Sequence, residues 1–128
     1  MTIFFSVTGD YGPVVTDEIE EAFYWCIKEL MPRKKNLDVT VEIKKLENDV
    51  FGYHWMEEPG THIIELDVEQ TPDDFFTALF HELVHVRQAE RGIYTEESVP
   101  YYERPVEIEA YQLQEELLKK WKSSQQLH

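Results

Sequence analysis

The order of apolar and polar residues along this chain predicts its elements one after another. "TIFFSV" is a short apolar run closed by Gly9, Gly12 and Pro13, and it predicts a strand. Ile19, Phe23, Cys26, Ile27 and Leu30 then recur at helical spacing, which predicts a helix over 17–31. Thr16 stands at its N-cap and Asp17 and Glu18 in its first turn, while Pro32 ends it beside Arg33, Lys34 and Lys35. In "LDVTVEIKKL", Val39, Val41 and Ile43 point one way and Thr40, Glu42 and Lys44 the other, the alternation of a strand with one wet face. Asn48 and Asp49 make a turn, so "VFGYHWME" reads as the second strand of a hairpin. Pro59 and Gly60 turn the chain again into "THIIELDV", where His62, Ile64, Leu66 and Val68 share a face.

Helical spacing then takes over. Thr71 is an N-cap, Pro72 sits at the first helical position, and Asp73 and Asp74 follow. Phe75, Phe76, Leu79, Phe80, Leu83, Val84 and Val86 make this helix, 72–91, apolar over a wide arc, so it is expected to be largely buried until Gly92 stops it. Pro105 opens a last helix, to about 122, with Val106, Ala110, Leu113, Leu117 and Trp121 as its core stripe. Strands first and helices after predict an α+β fold, a small mixed or antiparallel sheet covered by helices. The 128 residues suit one domain, with the polar end from 119 expected to fray.

Composition narrows the function. The formal net charge of -14 argues against nucleic acid and against an anionic membrane surface, and favours a soluble monomer. The single cysteine, Cys26, permits no internal disulfide and fits a reducing compartment. "MTIFFSVTGDYG" lacks the basic stretch and the apolar length of a signal peptide, and no segment reaches the length of a membrane span. A cytoplasmic protein is the expectation.

The chemistry concentrates in "ALFHELVHVRQ". Residues four apart on a helix lie one above the other, so His81 and His85 can present ring nitrogens to one metal ion. Zinc takes such nitrogens at about 2.0–2.1 Å and lowers the pKa of water bound to it to around neutrality. Glu82, about 100° around the helix, is near the metal without ligating it, where it can act as general base. A bare match of this kind is expected by chance about 0.03 times in a chain of this composition. The rival reading, a helix that happens to carry these residues, buries three polar groups among Phe80, Leu83 and Val84 to no purpose, which is costly.

A catalytic zinc site needs a third protein ligand. Gln88 and Arg91 occupy the positions of the Gly and third His in the extended three-histidine motif, so a carboxylate must serve. "ERPVEIEAYQLQEEL" offers Glu103, Glu107 and Glu109. Glu107 and Glu109 lie about 200° apart on a helix, each about 80° from the centre of the apolar stripe, and periodicity does not choose between them.

"HELVHVRQ" followed by "RPVEIEAY" resembles the zincin metallopeptidases of the two-His, one-Glu type, the gluzincins, and among them their minimal single-domain members. The resemblance implies a zincin-like fold, with a small mixed sheet beside the active-site helix and an edge strand that binds the main chain of a peptide or protein substrate. It implies His81 and His85 as ligands, Glu82 as catalytic base, and Glu109, before Ala110, as the third ligand of a Zn2+ ion. Leu113 stands where these families often carry an aspartate. An oxyanion stabiliser is also required. Tyr94, Tyr101, Tyr102 and Tyr111 are near in sequence, and Tyr101 or Tyr102 can close over the site from the loop. Arg104 can pair with Glu103, Glu107 or a substrate carboxylate. His54 and His62, on expected strands, are remote ligands or structural residues. The function so implied is a zinc-dependent peptidase; the alternative is a zincin-like protein that binds metal and hydrolyses nothing.

Overall fold

The computed structural model describes residues 2–9, 16–93 and 98–125. Four strands, β1 (Thr2–Gly9), β2 (Asn36–Lys44), β3 (Gly52–Glu58) and β4 (Thr61–Asp67), and three helices, α1 (Thr16–Leu30), α2 (Pro72–Glu90) and α3 (Pro105–Gln125), form an α+β fold. The strand order is β1-β2-β4-β3, with β1, β2 and β4 parallel and β3 antiparallel to β4 at the edge.

The expected hairpin between β2 and β3 does not form. Asn48 and Asp49 do turn the chain, both in the left-handed region (φ 60 and 58). The chain then passes over β4, and β2 pairs with β4 instead, Val39 opposite His62, Val41 opposite Ile64 and Ile43 opposite Leu66. The reason is burial. Those two rows are fully apolar or enclosed, and each is covered from both sides only in the middle of the sheet. Strand β3 alternates between half-buried Gly52, His54 and Met56 and exposed Tyr53 and Trp55, a pattern that belongs at an edge.

The buried face of the sheet meets α1 and α2. Phe23, Val41, Ile64, Phe75, Leu79 and Leu83 lie at the centre of this core. Helix α2 starts as its sequence predicts: Thr71 Oγ1 accepts a bond from Asp74 N–H at 3.2 Å, and Pro72 occupies the first turn. Gly92 ends it with φ 73, a conformation that a side chain would strain. Helix α3 packs along α2 from outside. Trp121 is only 4 % exposed and lies against Trp25, Phe76 and Phe80, and the helix continues to Gln125. Among the described residues, no helix is long and apolar enough to cross a membrane.

Candidate metal centre

The apolar arc of α2 anchors one side of the helix in the core and turns His81, Glu82 and His85 toward β3 and α3. His81 and His85 lie one turn apart, their rings edge to face with centroids at 4.8 Å. Across from them, α3 presents Glu107. Its Oε1 lies 3.0 Å from His81 Nε2 and 3.2 Å from His85 Nε2, and the two Nε2 atoms lie 3.2 Å apart. Among the described residues, His81, His85 and Glu107 are the three that could together hold a metal ion.

Glu109, the ligand that the resemblance implied, is not in this cluster. It lies about 200° around α3 from Glu107, where it accepts a bond from Gln88 Nε2 at 2.9 Å and pairs with Arg87 at 3.6 Å. Glu103 is exposed in a short 3-10 turn, Tyr101–Glu103.

Two glutamines decide what the cluster can do. His81 Nδ1 lies 2.7 Å from Gln114 Oε1, and His85 Nδ1 lies 2.7 Å from Gln88 Oε1. Both amides are oriented by their nitrogens: Gln88 Nε2 donates to Val106 O and to Glu109, and Gln114 Nε2 donates to Glu115. The facing atoms are therefore amide oxygens, which only accept, so each Nδ1 must carry the proton and donate. In the neutral rings both Nε2 atoms then keep a bare lone pair. Two lone pairs and a carboxylate oxygen converge within 3.2 Å, which is repulsive until a cation lies between them. A tetrahedral ion with donors at about 2.0–2.1 Å needs them about 3.3 Å apart, a small opening of the triangle.

Protons fill that role when no metal does. Burial lowers the His85 pKa, but the bond to Glu107 and the charge of Glu82 more than reverse this and raise it to about 9. Burial raises Glu107, and the bonds from His81 and His85 outweigh it and hold the carboxyl at about 2. A metal must displace the His85 proton, so its affinity falls as pH falls below about 9.

Glu82 stands beside the triangle, 6 % exposed. Burial is the main cause that lifts its carboxyl to about 7, against the pull of His85 and His81. Gly52 of β3 makes the room: a Cβ there would lie 3.1 Å from Glu82 Oε2. Glu82 and His81 line a cleft of about 770 Å³ whose wall also includes Gly52, Tyr101, Tyr102 and Tyr111. His85 and Glu107 open on a second cleft of about 340 Å³ with His54, Met56, Ala89 and Val106.

The structure brings Tyr101 and Tyr102 to the first cleft. Tyr101 lines it while 41 % exposed, its hydroxyl 3.3 Å from that of Tyr111, and Tyr102 is more exposed still. Burial, the Tyr111 hydroxyl and the Glu107 charge raise the Tyr101 pKa far above the usual phenol value, so its O–H stays available to donate. Tyr111 packs its ring on His81, centroids 4.7 Å apart. The Arg104 guanidinium lies over the Tyr101 ring at 5.9 Å, and its Nε donates to Val99 O at 2.8 Å. Tyr94 lies outside the described residues. Sequence reasoning missed Gln88 and Gln114; the spacing of Gln88, three residues after His85, was the signal for the first.

No protein-family model matches the chain, and no curated protein or solved structure is significantly similar to it.

Proposed function

We propose that the chain is a zinc-dependent peptidase of the gluzincin type, with His81, His85 and Glu107 as metal ligands and Glu82 as general base. One observation carries this reading: both histidines are held by glutamine oxygens as Nδ1–H donors, so two bare Nε2 atoms and a carboxylate point at one place. The donor set, two nitrogens and one oxygen on facing helices, fits zinc and leaves a position open. When bound, zinc supplies Lewis acidity, which polarises a carbonyl and activates water.

The chain's own residues supply the rest. Glu82, its carboxyl lifted by burial to about 7 in the metal-free protein, is placed beside the triangle to take a proton and give it to a leaving amine. Tyr101, kept protonated, is the donor best sited to steady the oxyanion, with Tyr111 behind it. Edge strand β3 borders both clefts and can add an extended peptide as a further strand. The fold of sheet, edge strand and two helices fits the zincin layout. An acidic, cytoplasmic monomer acting on a peptide or protein substrate completes the reading.

Elemental analysis of the native protein, with Glu107→Gln and Glu82→Gln, tests it. One zinc per chain, lost in Glu107→Gln and kept in Glu82→Gln, is expected, with peptide cleavage abolished in both. Zinc retained in Glu107→Gln would refute the ligand set. Zinc bound by a wild type that cleaves no peptide would leave a metal-binding protein without the activity.

A further inference from the structure

A second buried polar chain ends at the metal centre and has no part in the reaction above. His54 Nε2 on β3 lies 2.9 Å from His62 Nδ1 on β4, and His62 Nε2 lies 2.7 Å from Glu90 Oε2 near the end of α2. Glu90 also accepts a bond from Gly60 N–H at 2.8 Å and from the Lys34 ammonium. These donors outweigh its burial and keep the carboxylate ionised. His62 is completely buried, and burial keeps it neutral.

The protons along this chain can be placed. An ionised Glu90 only accepts, so His62 Nε2 carries the proton and donates. His62 Nδ1 is then bare, and His54 Nε2 must donate to it. His54 Nδ1 is left bare in turn, with no partner among the described residues. His54 lines the second cleft with apolar Met56, Ala89, Ile93 and Val106, next to His85 and Glu107. Its ring centroid is 6.3 Å from that of His85. A clasp that only ties strand to helix needs His62 and Glu90; it does not need a third imidazole with an unused acceptor in a cleft.

We propose that His54 is a substrate-binding residue, whose bare Nδ1 accepts a hydrogen bond from the side chain that enters the second cleft. His62 and Glu90 are positioning residues that fix its tautomer. The inference rests on the peptidase reading and names part of its substrate class. A bare imidazole nitrogen repels carbonyl and carboxylate oxygens and accepts from O–H and N–H groups. The side chain selected therefore ends in an O–H or N–H donor, as Ser, Thr, Tyr, Asn and Gln do.

Two measurements on the zinc-loaded full chain test this. Long-range proton–nitrogen NMR at pH 7 should find His54 protonated on Nε2 and bare on Nδ1, and a mixture of tautomers in Glu90→Met. A proton on Nδ1 in the wild type would overturn the proposal. Cleavage of a mixed peptide library should favour donor-bearing residues at one subsite by about fivefold, the worth of one neutral hydrogen bond. His54→Phe should lose that preference while it still cleaves at apolar residues. Cleavage by wild type without the preference, or with the preference intact in His54→Phe, overturns the role of His54 and leaves the peptidase reading standing. No cleavage by wild type overturns both.

Discussion

Replacing Glu82 by glutamine should make the metal-free protein more stable, and the gain should depend on pH in a defined way. The carboxyl is 6 % exposed and burial lifts its pKa from 4.5 to about 7. A shift of that size corresponds to about 3 kcal/mol at 1.36 kcal/mol per unit. The folded state holds the proton more tightly than the unfolded chain. The stability linked to Glu82 is therefore fully present below pH 4.5, is lost as pH rises, and is gone above about 7. Glutamine cannot ionise and escapes that loss. At pH 8, Glu82→Gln should exceed wild type by up to about 3 kcal/mol, or about 10 °C in Tm for a domain of this size. At pH 4 the two should be nearly equal.

Urea and thermal unfolding of chelator-treated protein across this pH range reads the difference directly. A gain of the same size at pH 4 and pH 8 would mean that the amide packs better, and that charge is not involved. No gain at pH 8 would mean that water reaches the carboxylate, and the argument for a base poised near neutrality would fall with it. If the gain appears, the wild-type residue is being kept at a cost to stability, as expected of a group retained for its chemistry.

Other consequences concern the supports of the site. Gln114→Leu should weaken zinc binding by about 10–100-fold in chelator competition, because His81 loses the acceptor that fixes its tautomer. Gln114→Glu, which can still accept, should retain most of the affinity. Trp121→Ala should cost about 3–5 kcal/mol in denaturant unfolding, since this ring joins α3 to Trp25, Phe76 and Phe80. Zinc affinity should drop with it, as α3 carries Glu107. Gly52→Ala puts a Cβ 3.1 Å from Glu82 Oε2 and 3.2 Å from the Glu65 carbonyl, so it should lower peptide cleavage while zinc content stays at the wild-type level.

How much of this the chain announces depends on how local the deciding contacts are. Helix α2 could be read nearly to the residue, because Thr71, Pro72 and Gly92 act within a turn of themselves, and His81, Glu82 and His85 fall in one helical stretch. Strand order could not be read from turns: Asn48–Asp49 and Pro59–Gly60 are equally good turn sequences, and only the second joins neighbours in the sheet. What separates them is how much cover each strand needs. Val39, Val41 and Ile43 require neighbours on both sides, as do Ile64 and Leu66, whereas Tyr53 and Trp55 do not. That comparison was available from the alternation itself. The choice between Glu107 and Glu109 was not, because both flank the apolar stripe of α3 at equal angles. It is settled on the other helix. Gln88 reaches from His85 to Val106 O and Glu109, and so takes up the side of α3 on which Glu109 lies, leaving Glu107 to face the histidines. Glu109 thus bears on the site without entering it: it orients Gln88, Gln88 orients His85, and the bare nitrogen that results is what a metal would meet. The relay from Glu90 to His54 works by the same rule on the opposite side, an anion setting the protons of a chain that ends in a cleft. In both cases the residues at the business end are spaced simply in sequence or stand alone, while the anion that sets the protons comes from far along the chain, Glu109 lying 21 residues from Gln88 and Glu90 28 from His62.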